Sequence, residues 1–131
     1  MKTLGKLIKE LDILIGKYMK LTAPRDDMGR IQCFINKTWH YPDNIEVCHF
    51  IQRDKMCTRF HPDNLRLGSK TTNRFEEDHI EKFKEMLISD IGLERVENLY
   101  NLASDRCTPN RISLNKDIEL YEERIKHFRA T

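Results

Sequence analysis

Apolar residues first recur at helical spacing: Leu4, Leu7, Ile8, Leu11, Leu14, Ile15, Tyr18 and Met19 share one face of a helix over residues 3–20, with Thr3 as N-cap. Pro24 and the Asp26-Asp27-Met28-Gly29 cluster end that helix in a loop. The period then shortens to two. Ile31 to Ile35 and Thr38 to Tyr41 are β-prone, Pro42-Asp43-Asn44 is a turn, and Ile45 to Phe50 is a further strand, which together predict a hairpin near 31–50. Residues 51–72 read as an irregular polar, basic loop carrying a second Pro-Asp-Asn at 62–64. Helical spacing returns at Thr72 or Asn73, with Phe75, Ile80, Phe83, Met86, Leu87 and Ile91 inward, and stops at Gly92. A short helix through Val96, Leu99, Tyr100 and Leu102 follows. After a loop at Pro109, Ser113 is expected to cap a last helix carrying Ile118, Leu120, Tyr121, Ile125 and Phe128. The pattern predicts one α+β domain over residues 1–131: an N-terminal helix 3–20, a hairpin-plus-helix core at about 31–90, and C-terminal helices over 93–128.

Composition suits a folded domain, with 39% hydrophobic and 34% charged residues. Lys6, Lys9, Glu10, Asp12 and Lys17 break the N-terminal apolar pattern, so neither a membrane span nor a signal peptide is expected and the setting reads as cytoplasmic. Cys33, Cys48, Cys57 and Cys107 form no Cys-x-x-Cys pair and are expected as free thiols. The net charge of +2 hides an asymmetry. Between residues 53 and 74, six bases (Arg53, Lys55, Arg59, Arg66, Lys70, Arg74) face only Asp54 and Asp63, whereas residues 75–98 are strongly acidic. The basic stretch would attract a polyanion such as DNA.

Candidate chemistry sits beside that stretch. His49 ends a strand in Glu46-Val47-Cys48-His49-Phe50, Asn64 lies in Arg59-Phe60-His61-Pro62-Asp63-Asn64, and Asn73 opens the next helix in Thr71-Thr72-Asn73-Arg74. Phosphodiester hydrolysis needs a base for water, positive charge on the phosphate and help for the leaving oxygen. Histidine supplies the first near neutral pH. A divalent cation on oxygen ligands, Mg2+ or Mn2+, supplies the other two. Taken singly, His49 reads as a satisfied polar residue, Asn64 as a turn residue and Asn73 as a helix cap; their joint spacing points to a site. Glu46, Asp43 and Asp54 are the carboxylates available as ligands. His40, His61, His79 and His127 read as surface or loop residues, with His61 near enough to the motif to touch phosphate. Phe50 reads as core, and Trp39 could pack or stack on an unpaired base.

These residues resemble the ββα-metal (HNH) nucleases, and within them the NinG/Rap family of phage recombination endonucleases. In that family the motif histidine is followed by an Arg-Phe pair and Asn in the next loop, and by a further Asn nine positions on, as His49, Arg59-Phe60, Asn64 and Asn73 are here. The resemblance implies His49 as general base, Asn64 as brace of the loop, and Asn73 with Glu46 as metal ligands. It also implies DNA contacts from the six bases and cleavage of branched or single-stranded DNA in a phage-infected bacterial cell, where symmetric cutting of a junction would call for a homodimer. Ile91-Gly92-Leu93-Glu94-Arg95-Val96 is similar to the family's Ile-Gly helix junction. Two departures stand out. The acid many HNH enzymes carry just before the histidine is Cys48. The family's two Cys-x-x-Cys pairs read Cys33-Phe34-Ile35-Asn36 and Ser69-Lys70-Thr71-Thr72, so no structural zinc is expected. Those departures also fit a weak or inactive nucleic-acid-binding protein, or a phage protein that blocks a host factor through its acidic helix.

Overall fold

The computed structural model describes residues 1–71 and 79–130. Along the chain run α1 (Leu4–Thr22), β1 (Ile31–Gln32), β2 (Trp39–His40), β3 (Ile45–His49), α2 (Met56–Arg59), β4 (Leu65–Ser69), α3 (His79–Ile91), α4 (Leu93–Ala103) and α5 (Arg111–Ala130). The protein is α+β, with five helices and two small antiparallel sheets among the described residues. They fall into two compact units, Met1–Ala23 with Thr108–Thr131, and Pro24–Cys107. No helix among the described residues is long and apolar enough to cross a membrane.

In the first unit α1 and α5 run side by side in the same direction. Arg111 donates to the Lys2 carbonyl near both helix starts, and Tyr18 meets Tyr121 edge-on at 5.7 Å further along. Leu7, Leu11 and Ile15 on α1, and Leu114, Ile118 and Ile125 on α5, are the buried stripes. Thr3 caps α1 by accepting from the Lys6 amide at 3.2 Å. The cap of α5 is Asn110, not Ser113: its side chain accepts from the Ser113 amide at 3.0 Å. An Asn three residues before that amide is the stronger acceptor for an orphan N–H.

The second unit is built on β3 and β4. The expected hairpin over 31–50 is corrected here: the upstream segments shrink to a two-residue pairing, Ile31 opposite His40 and Gln32 opposite Trp39. The partner of β3 is instead Leu65–Ser69, inside the stretch expected to be irregular, with Ile45 opposite Ser69 and His49 opposite Leu65. Alternation along Leu65, Leu67 and Ser69, all buried, makes this segment a strand despite its Gly and flanking turn residues. The Phe34 amide donates to the Leu67 carbonyl at 2.9 Å and so fastens the turn after β1 to β4.

Helices α3 and α4 cover the Cys48 face of this sheet. Phe83 and Leu87 from α3 and Val96 and Leu99 from α4 close over Cys33, Ile35, Cys48 and Phe50. Phe50 and Phe83 meet at 5.5 Å. Burying each large apolar side chain of this set contributes roughly 1.5–3 kcal/mol. Gly92, at φ 91°, turns the chain between α3 and α4 as its position after an apolar stripe predicts. The expected start of α3 at Thr72 or Asn73 lies outside the described residues.

Two cysteine expectations are also revised. Cys57 on α2 and Cys107 beyond α4 form a disulfide with Cα atoms 5.2 Å apart, because α2 packs beside α4. Cys33 and Cys48 remain free and buried. They flank Gly68 so closely that a methyl group there would come 2.6 Å from the Cys48 Sγ and 3.6 Å from the Cys33 Sγ.

Candidate functional site

His49 is the last residue of β3, half-buried opposite Leu65, at the mouth of the connection formed by residues 50–64. That connection is an ordered loop. The Phe50 amide donates to the Asn64 carbonyl at 2.9 Å, which closes the loop directly after His49. The Asn64 side chain is wholly buried. Its Oδ1 accepts from the Ile51 amide at 2.7 Å, and its Nδ2 donates to the carbonyls of Ile51 and Thr58, each at 3.1 Å. A carboxamide does this and a carboxylate does not, since both donor and acceptor are needed.

Around this clamp the loop is further tied. The His61 Nδ1 accepts from the Asp63 amide at 3.1 Å, which ties the imidazole to the turn before β4. Asp63 receives two bonds from Arg95 on α4, at 2.5 and 3.1 Å, and the disulfide holds α2 beside the end of that helix. The segment leading away from His49 is therefore fixed from several directions.

Alternation on β3 sorts the other candidates. Glu46 shares the helix-covered face with Cys48 and lies opposite Gly68, whereas His49 belongs to the face of Val47. Glu46 is half-buried. Cys48 is fully buried, and burial first, then the neighbouring Cys33 and Glu46, push its thiol up to about 12. It stays protonated near neutral pH and is neither a hard-metal ligand nor a nucleophile there. Asn73 and Arg74 lie outside the described residues. Among the described residues no three His, Cys, Asp or Glu side chains converge on one ion position. The oxygen donors of Glu46 and Asn73 suit magnesium or manganese in kind, since such ions bind through few protein ligands, with water and phosphate oxygens completing the shell.

The six expected DNA-contacting bases differ in freedom. Arg53 and Lys55 are exposed on the loop. Arg59 donates to the Arg53 carbonyl at 3.0 Å and lies over the Phe60 ring. Arg66 is engaged within the fold: it donates to the carbonyls of Pro62 and Leu65, pairs with Asp90 at 3.0 Å, and covers the Phe34 ring at 5.1 Å. Lys70 is half-buried after β4. His79, expected at the surface, is instead only 8% exposed, because its ring packs edge-on against Phe83 at 5.8 Å. Sequence reasoning missed the disulfide and Arg95; the spacing of Asp63 and Arg95 carries no local signal for their pairing. No protein family, curated protein or solved structure matches this chain.

Proposed function

We propose that the chain is a metal-dependent DNA endonuclease of the ββα-metal (HNH) type, acting on branched or single-stranded DNA. One observation carries the reading: a strand ending in His49 leads into a loop whose return is clamped by a wholly buried Asn64, and the antiparallel strand β4 follows. In this reading His49 takes the proton from the attacking water, and Asn64 holds the loop that orients His49. Glu46 and Asn73 hold a magnesium or manganese ion, which supplies positive charge to the phosphate and the leaving oxygen. Arg53 and Lys55 attract the phosphate backbone.

A second reading, a nucleic-acid-binding protein without cleavage, draws on the protonated, buried Cys48 where an acidic ligand stands in many HNH enzymes. Incubation of supercoiled plasmid and of branched oligonucleotides with the protein in magnesium, manganese or chelator separates the two. The nuclease reading expects metal-dependent cutting that falls about 10²–10⁴-fold in His49→Ala with DNA affinity retained. Binding without cutting in either metal would establish the second reading instead.

A further inference from the structure

Beside the loop that follows His49 lies a recess of about 280 Å³. Phe50 and Ile51 from the loop, Ile80 from α3 and Tyr100 from α4 supply its apolar walls, and Ala103 closes it with a small side chain. Gln52 and Lys55 complete its lining among the described residues.

Two of these apolar groups leave nearly half of their surface exposed. Ile80, expected on the inward face, is instead 48% exposed, one position round from the buried stripe of α3, His79, Phe83 and Leu87. Tyr100 stands one position beyond the buried Leu99 of α4; it meets Phe50 edge-on at 5.6 Å, yet 44% of it stays exposed. Exposed apolar groups gathered on a concave surface mark a binding place. Drug-sized ligands fill roughly 300 Å³ or more, so this space suits a single flat ring system. Its charge selects the ligand further. Lys55 lines the recess, Arg53 is exposed two residues away, and the Lys84 ammonium lies 5.6 Å from the Tyr100 ring centroid.

We propose that this recess is a base pocket that takes one unpaired nucleobase of a DNA strand. The base lies against Tyr100 and Ile80, its polar edge meets the Gln52 amide, and the adjoining phosphate meets Lys55. This rests on the nuclease reading and gives it a physical ground for preferring unpaired DNA: a base held in a duplex stack cannot enter.

The test uses the full chain in chelator, so that strands are bound and not cut. Fluorescence anisotropy compares a single-stranded oligonucleotide with one of equal length and charge whose central residues are abasic. The pocket predicts that the strand with bases binds about tenfold tighter. Tyr100→Ala, which removes a half-exposed wall, and Ala103→Trp, which fills the recess, should each bring that ratio near unity while the salt slope stays unchanged. Should Ala103→Trp fail to fold by circular dichroism, Tyr100→Ala decides alone. A wild-type protein that binds both strands equally, or a tenfold ratio surviving in the folded variants, overturns the pocket and leaves the nuclease reading standing. Failure of the wild-type protein to bind any strand overturns both.

Discussion

Asn64→Ala removes three hydrogen bonds at once. The Ile51 amide and the carbonyls of Ile51 and Thr58 lose their partners in a place where Asn64 and Thr58 are fully buried. Each ordinary hydrogen bond contributes about 1 kcal/mol net, and an orphaned buried donor costs about 1–3 kcal/mol more. Some relief comes from water reaching the half-buried Ile51, so we expect a loss of about 3–5 kcal/mol. The sole tryptophan, Trp39, belongs to the same compact unit and reports its unfolding in urea by fluorescence. At a slope of about 1.5 kcal/mol/M the midpoint should fall by roughly 2–3 M with the slope unchanged. Amide exchange at Ile51 should accelerate before that at Phe83 or Leu87. Asn64→Asp offers a control, because it keeps the acceptor for Ile51 but turns a second oxygen toward two carbonyls, and should be no better than Ala at neutral pH. A loss below about 1 kcal/mol, or an Ile51 amide that exchanges as in the parent, would refute the clamp.

Gly68→Ala should destabilise the second unit by about 1–3 kcal/mol, since the Cys48 Sγ it would strike is itself buried; adding Cys48→Ala should recover part of the loss in a double-mutant cycle. The Cys48 thiol gives an alkaline signature. The native thiol titrates at about 12 and the unfolded one near 9.0, so between those values only the unfolded chain releases the proton. Stability is then unaffected below pH 9 and falls as pH rises through the window, by at most about 4 kcal/mol, a dependence that Cys48→Ala should remove from urea midpoints. Arg53→Ala with Lys55→Ala should flatten the salt dependence of DNA binding by about 1–2 in log–log slope, whereas Arg66→Ala should lower the melting temperature and leave the slope alone. Equal flattening by Arg66→Ala would place that side chain on the phosphates.

The helices were readable because their apolar stripes persist over several turns: Thr3 capping α1, the break at Gly92 and the buried stripe of α3 from Phe83 onward all follow from the pattern. Strand β4 was obscured by its composition. Leu65 and Leu67 alternate with Arg66 and Gly68, but five residues between a Pro-Asp-Asn turn and a polar stretch give a weak signal. Sequence favours an upstream partner for β3, where a short turn closes a hairpin at little entropic cost, whereas the actual partner lies across residues 50–64. Asn64 could be singled out by its neighbours, yet only the fold reveals that both ends of its amide are used. The link between Cys57 and Cys107 was beyond reach, since pairing depends on which segments meet and not on spacing.

That covalent link has a practical consequence for the handling of the protein. With Cys57 and Cys107 bonded, a protease cut anywhere in residues 58–106 yields two pieces that travel as one mass on a denaturing gel without thiol. The backbone can be severed in the loop, in β4 or along α3 while the fragments stay tethered, and the tether raises their effective concentration for re-association. A single band on a non-reducing denaturing gel is consequently no proof of an unbroken chain: on such gels the fragments part only once a reductant opens the link.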